Sequence, residues 1–281
     1  LMRIVAFLLF AAAAASQDTE PVRHVVLIII DGAERQVCKE LLEDGKLPNI
    51  DSVRKAGTMQ DIDVKGHVTK TLPGIAEIMT GLDAQITGVT DNLVNGKVPI
   101  TPKGFTIFER LEKYFGEDEV VTIKFDTVND EASVKKLTLR NMFAHNDVDI
   151  RKVHREEKFG TELAALKIDT TRRVLLNFYF NEPDLTGHTD GTLENYRKSF
   201  IRVDRYIGRI ISWLKEDAQM DALVYITTDH GFHISGDRMA GHSNAPNSWL
   251  VTNDKRVKRG GRQADIAATI LKRMGVDLTK L

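Results

Sequence analysis

The run His24 to Ile30, "HVVLIII", constrains this chain more than any other stretch. It is almost wholly apolar and β-branched, with no alternation of apolar and polar residues. A strand built from it must be buried on both faces, as in a parallel sheet with helices on either side. The run halts at Asp31-Gly32. The same design returns in Val120 to Phe125 ("VVTIKF"), Val174 to Phe180 ("VLLNFYF") and Ala222 to Thr228 ("ALVYITT"), the last halting at Asp229-His230-Gly231. Between them lie helical patterns. Thr192 to Lys215 places Tyr196, Phe200, Val203, Ile207, Ile210, Ile211 and Leu214 on one face, and Gln263 to Met274 turns Ile266, Ile270 and Leu271 inward. Strands alternating with helices predict an α/β fold: a three-layer sandwich with a mostly parallel central sheet flanked by helices.

The 281 residues, 42% hydrophobic and 28% charged, can furnish a sizeable core. Residues 1–16, LMRIVAFLLFAAAAAS, put one arginine ahead of an apolar run shorter than the ~20 residues of a membrane helix. Small residues close that run, so it is expected to be a secretory signal peptide, making the protein secreted or periplasmic. No later segment is apolar enough for stable membrane insertion. Residues 17–281 are expected to form one domain. Within them, the polar stretch 126–172, with "NDEASVKK" and "RKVHREEK", reads as a small cap or solvated excursion. Cys38 is the only cysteine, so no intramolecular disulfide forms and stability must come from the core. The net charge of −1 gives no reason to expect nucleic acid as a standing partner. The basic run Lys255 to Arg259 reads as a solvated face.

In open α/β sheets, ligands gather beyond the carboxyl ends of the strands. Asp31, the segment "EPDLTGH" with Asp184 and His188, and the segment "TDHG" with Asp229 and His230 all follow such ends, and "AGHSN" adds His242. Mixed carboxylate and imidazole donors suit zinc or a similar divalent ion. Singly, each piece is weak: an Asp-Gly at a strand end is commonly a turn, and a lone His188 or His242 is more often a solvated or satisfied side chain. The stretch "HVTKTLPGIAEIMTG", residues 67–81, sets Thr69 and Thr71 around a lysine, just ahead of a helix expected to begin near Gly74.

The order of these segments resembles the alkaline phosphatase superfamily and, within it, the nucleotide pyrophosphatase/phosphodiesterase branch. "KTLPGIAEIMTG" looks like that branch's nucleophile segment, and "GVTDN", Gly88 to Asn92, looks like its downstream asparagine motif. The resemblance runs from Val25 to about Met274, loosely over 93–172, and implies that residues 17–281 are one alkaline-phosphatase-like catalytic domain. It further implies that Thr71 is the nucleophile and touches one of two divalent ions, most simply zinc, together with Asp31, Asp229 and His230. Asp184, His188 and His242 would hold the second ion, and the Asn92 amide would face a substrate oxygen. Thr69 reads as a capping or turn-forming hydroxyl, Lys70 as a surface lysine, and His233 as a partner behind the ligands or a plain loop histidine.

The expected substrate is a small phosphate ester with a phosphodiester or pyrophosphate bond. Sulfatases share the fold but need a cysteine at the position of Thr71 and an arginine at that of Ile75. Gly74-Ile75 departs from the residues usual in the pyrophosphatase branch, which puts nucleotides in doubt as substrates. Two rivals keep the same site: a phosphomonoesterase or phosphonate hydrolase, and a catalytically silent protein that captures phosphate-bearing ligands.

Overall fold

The computed structural model describes residues 20–129, 142–143 and 148–280. Residues 1–16, read above as a signal peptide, lie outside them. In chain order the elements are β1 (His24–Ile30), α1 (Arg35–Glu43), α2 (Pro48–Ala56), β2 (Thr58–Asp63), α3 (Thr71–Thr80), α4 (Ala84–Thr87), α5 (Ile107–Phe115), β3 (Val120–Val128) and β4 (Ile150–Arg155). There follow α6 (Phe159–Ala164), β5 (Arg173–Phe180), α7 (Asp184–Thr189), α8 (Leu193–Glu216), β6 (Leu223–Thr227), a hairpin of β7 (Ile234–Ser235) and β8 (Arg238–Met239), β9 (Asn247–Thr252) and α9 (Ala264–Arg273).

The "HVVLIII" run becomes β1, the middle strand of a seven-stranded sheet ordered β2-β9-β6-β1-β5-β3-β4. It pairs in parallel with β5 on one side and β6 on the other. Side chains alternate across a strand. Val26, Ile28 and Ile30 therefore enter one core, with residues of α1, α2, α6 and α8, while Val25, Leu27 and Ile29 enter a second, with residues of α3, α5 and α9. Only β9 runs against the others, antiparallel to both β6 and β2. The three-layer, mostly parallel α/β sandwich expected from the runs is the fold observed.

The helices follow their patterns closely. Thr192 caps α8 by accepting from the Asn195 amide at 3.3 Å, and Tyr196, Phe200, Val203, Ile207, Ile210 and Leu214 are buried, with Ile211 only partly so. Helix α3 starts at Thr71, three residues earlier than expected. Pro73 still falls in the first turn, where its missing N–H is no loss. Gly81 ends the helix in the left-handed conformation, φ 68°.

Where described, residues 126–172 belong to the sheet and one helical layer. Ile150–Arg155 is the parallel edge strand beside β3, and α6 buries Phe159 and Leu163 in the first core. Charge along an edge strand blocks pairing with other chains, which is why "RKVHR" reads as solvated. Residues 130–141 and 144–147 lie outside the described residues.

Phe178 sits in an aromatic cluster at centroid distances of 5.3 Å from Phe125 and 6.4 Å from Phe159. Phe178→Ala is therefore expected to cost about 3–5 kcal/mol in urea unfolding, and a loss below about 1 kcal/mol would contradict this packing.

Candidate functional site

The sheet delivers its polar groups to one rim. Asp31 directly follows β1, Asp184 opens α7 four residues after β5, and Asp229 and His230 follow β6. Two clusters result. Asp31, Asp229 and His230 bring ligand-type atoms within 4.8 Å of one another, and so do Asp184, His188 and His242. The clusters adjoin: the His230 and His242 rings stack at 4.2 Å between centroids, and His188 meets His242 edge-on at 4.9 Å. Thr71, first residue of α3, points its hydroxyl at Asp31 Oδ1 from 3.4 Å. All seven residues read from the sequence as metal ligands, Thr71 included, thus come together at this rim.

Four of the donors, Asp31, Asp229, His230 and His242, are held by partners that leave one atom free. Tyr179 donates its hydroxyl to Asp31 Oδ2, which leaves Oδ1 facing Thr71 and, at 3.4 Å, His230 Nε2. Asp229 Oδ1 accepts from the amides of Gly32 and His230, each at 3.0 Å, so Oδ2 remains. His230 gives its Nδ1–H to the Gly231 carbonyl at 2.9 Å, and His242 gives its own to Thr69 O at 2.6 Å. Such bonds fix the tautomer and present Nε2 outward. Asp184 Oδ1, Asp229 Oδ2 and His230 Nε2 are buried without a hydrogen-bond partner. Orphaned buried atoms of this kind are costly unless something else binds them.

Electrostatics point the same way. Burial and the neighbouring Asp31 charge push Asp229 up to about 8 and lift Asp184 well above the carboxylate range. Burial opposes a charge on His230, yet Asp229 and Asp31 outweigh it and push the imidazole up to about 10. Burial and the His230 charge push His242 down to about 4. Burial also works against Asp31, but His230 and Tyr179 hold it below its ordinary value. Three carboxylates enclosed together, with the His188 and His242 imidazoles lowered, are unfavourable alone and favourable around a cation. The donor set therefore fits divalent metal.

Thr69 is not the cap of α3; that position is Lys70, whose side chain makes no capping bond. Instead the Thr69 hydroxyl donates to His242 O at 2.5 Å and accepts from Ala245 N at 3.2 Å, latching the loop that carries His242. His233 secures the same loop through the Ser243 carbonyl. Lys70 is paired with Asp91 at 2.7 and 2.8 Å, and the lysine keeps the Asp91 carboxyl below its usual range. Next to it, Asn92 Oδ1 accepts from the Leu72 amide at 2.9 Å, which fixes the side-chain amide and leaves its NH2 end as the donor. Glu182, in the "EPD" segment, spends its oxygens on Asn129, Thr186 and Arg202 and so shapes the turn into α7.

Several supporting residues escape a sequence reading. Tyr179 and Tyr196 sit in apolar patterns and look like core, yet Tyr196 clasps the loop after Asp31, donating to Gly32 O at 2.5 Å and accepting from Glu34 N at 2.8 Å. Gln263, Thr228 and Trp249 also hold backbone groups around the rim. No local spacing marks them, because their partners lie far away in the chain.

Comparison with known proteins decides the relationship. The type I phosphodiesterase / nucleotide pyrophosphatase family matches residues 25–276. The chain belongs to that family. Among curated relatives, bis(5'-adenosyl)-triphosphatase ENPP4 of Bos taurus is 24% identical over 255 residues, covering 85% of this chain and 54% of its own length. A 2,3-bisphosphoglycerate-independent phosphoglycerate mutase of Clostridium botulinum is 35% identical over 122 residues, covering 41% of this chain and 23% of the mutase. The chain thus spans about half of the first relative and about a quarter of the second. Among solved structures, alkaline phosphatase from the Antarctic bacterium TAB5 superposes with a TM-score of 0.63 at 12% identity, covering 92% of this chain and 99% of that one. That likeness shows the alkaline phosphatase fold. No helix among the described residues is long and apolar enough to cross a membrane.

The rim is tightly built where α3 meets β6. A Cβ on Gly74 would lie 2.5 Å from the Asp229 carbonyl oxygen. Gly74→Ala is expected to destabilise the fold by about 1–3 kcal/mol in urea unfolding, and an unchanged midpoint would contradict that contact.

Proposed function

We propose that this protein is a secreted or periplasmic metal-dependent hydrolase that cleaves phosphodiester or pyrophosphate bonds of small phosphate esters through Thr71. One observation carries the reading: two adjoining carboxylate and histidine clusters, with three orphaned buried ligand atoms, stand beside a threonine hydroxyl at a helix start. Family membership supports the reaction class, and the triphosphatase among the relatives supports pyrophosphate-type bonds.

Asp31, Asp229, His230 and Thr71 would hold one zinc ion, and Asp184, His188 and His242 the other. When bound, the two cations supply the positive charge that acidifies a hydroxyl at neutral pH and offsets charge on phosphoryl oxygens. The chain's own groups do the rest. The Thr71 oxygen, having released its proton to solvent, forms a bond to phosphorus as the ester oxygen opposite leaves and takes a proton from water. Water then cleaves the phospho-Thr71 ester and returns the hydroxyl. The Asn92 NH2 and the Thr71 backbone N–H face the phosphoryl oxygens as donors. The first turn of α3 adds a positive dipole end; its Leu72 and Gly74 amides are already bonded, to Asn92 and to Lys70 O, and Pro73 has none. His188 and His242 must be neutral to serve as ligands, and burial already lowers both.

Replacing Thr71 by Ala is expected to lower kcat/KM for bis(p-nitrophenyl) phosphate by at least roughly a thousandfold while zinc content stays near two ions per chain; undiminished turnover would refute the nucleophile assignment. Prolonged treatment with a zinc chelator should abolish hydrolysis and added zinc should restore it. Activity that survives the chelator with no metal left in the sample would remove the metal requirement.

A second reading, a phosphomonoester substrate, is favoured by the match to a phosphoglycerate mutase, whose name specifies a monoester. Rates on aryl monoester and aryl diester, compared at equal concentration, separate the two.

A further inference from the structure

Behind the Asp229 loop lies a buried polar cluster that the proposed chemistry does not use. His67, just before α3, has a side chain with no exposed surface, Glu77 of α3 is 1% exposed, and Gln263, which caps α9, is fully buried. Gln263 gives both of its amide hydrogens to backbone carbonyls, Thr228 O at 2.9 Å and Asp229 O at 2.6 Å. That fixes its orientation, so its oxygen faces His67 Nε2 at 3.1 Å. His67 Nε2 also lies 2.8 Å from Glu77 Oε2, off the line of the N–H bond, and Nδ1 lies 2.7 Å from the Val68 carbonyl. Every partner of both ring nitrogens is an acceptor. Both nitrogens must then carry hydrogen, which makes His67 an imidazolium.

We propose that His67, Glu77 and Gln263 form a buried ionic strut that sets the height of the Asp229–His230 loop against the helix bearing Thr71. They act as positioning residues for the hydrolysis, and this kinetic part rests on the reading given above. Glu77 extends the strut, since its Oε1 accepts from the Ala264 amide at 3.3 Å at the start of α9. Three separate parts of the chain are thereby tied to the carbonyl of one metal-site residue. Supporting groups of this kind govern how tightly a metal is held and how well its ligands are aimed.

Charge agrees with the hydrogen-bond count. Burial acts to lower His67, but Glu77, the Val68 carbonyl and Gln263 outweigh it and raise the group above its ordinary value. Glu77 is the charged group facing His67; Val68 and Gln263 contribute neutral acceptors. A raised histidine stabilises the fold fully below its unfolded value of about 6.5, and this contribution is lost as pH rises through the folded value.

The test uses the zinc-loaded full chain with nitrogen-labelled histidines, the His67 resonances being assigned from His67→Gln. At neutral pH, where a free histidine is largely uncharged, both His67 ring nitrogens are expected to be protonated; a neutral His67 ring overturns the proposal. Gln263→Met, which keeps volume but removes the amide, is expected to lower kcat on bis(p-nitrophenyl) phosphate at least tenfold with KM within twofold. It should also weaken zinc affinity by roughly 10- to 100-fold. A folded Gln263→Met protein with kcat and zinc affinity both within twofold of wild type overturns the strut. Should Gln263→Met fail to fold, His67→Gln, which keeps a donor toward Gln263 but removes the charge, is expected to shift kcat and zinc affinity in the same direction, and unchanged values overturn it. If the wild type hydrolyses no phosphate ester, the hydrolase reading fails while the nuclear resonance and zinc measurements still decide the strut.

Discussion

Three carboxylates, Asp31, Asp184 and Asp229, are brought together at the rim of one sheet, and their mutual repulsion is the constraint around which the site is built. Burial and mutual charge raise Asp184 and Asp229 far from the ordinary carboxylate range. The fold accepts that cost because the strands that carry them are anchored elsewhere. Two cores, one on each sheet face, hold β1, β5 and β6 in place by apolar packing that owes nothing to the rim. A scaffold of this kind can keep like charges close until a cation joins them, so the core sets where the ligands stand and the rim contacts set how they are aimed.

The remaining rim contacts serve mainly to choose which atom of each ligand is left over. Tyr179 takes one oxygen of Asp31, the Gly32 and His230 amides take one oxygen of Asp229, and carbonyls of Gly231 and Thr69 take Nδ1 of His230 and His242. The leftovers point inward. The same economy holds for Asn92, whose oxygen is committed to Leu72 so that its NH2 is the end available. Membership of the type I phosphodiesterase / nucleotide pyrophosphatase family makes this arrangement intelligible.

Much of this was legible in the sequence for a physical reason. A strand buried on both faces must be apolar without alternation, so β1, β3, β5 and β6 declare themselves, and the groups at their ends follow at once. Both edges stayed hidden. β2, "TMQDID", and β4, "IRKVHR", pair on one side only and carry charge, so their composition is that of a loop. The direction of β9 is hidden as well, since its reversal follows from tertiary placement and not from any local signal. At the site, ligand residues occur as short groups next to strand ends or glycines and could be read. Their supports could not, because Tyr179 and Tyr196 have the hydrophobic spacing of core residues and Gln263 that of a helix start. The start of α3 lies three residues before the expected Gly74 and is hidden because Thr71 and Leu72 have the composition of a loop end.

The most direct measurement is anomalous diffraction at the zinc edge from crystals grown with zinc. The account predicts two strong peaks per chain, one bounded by Asp31, Asp229, His230 and the Thr71 hydroxyl, the other by Asp184, His188 and His242. A well-ordered map with no peak in either cluster, or with ions bound only at surface residues, would contradict it.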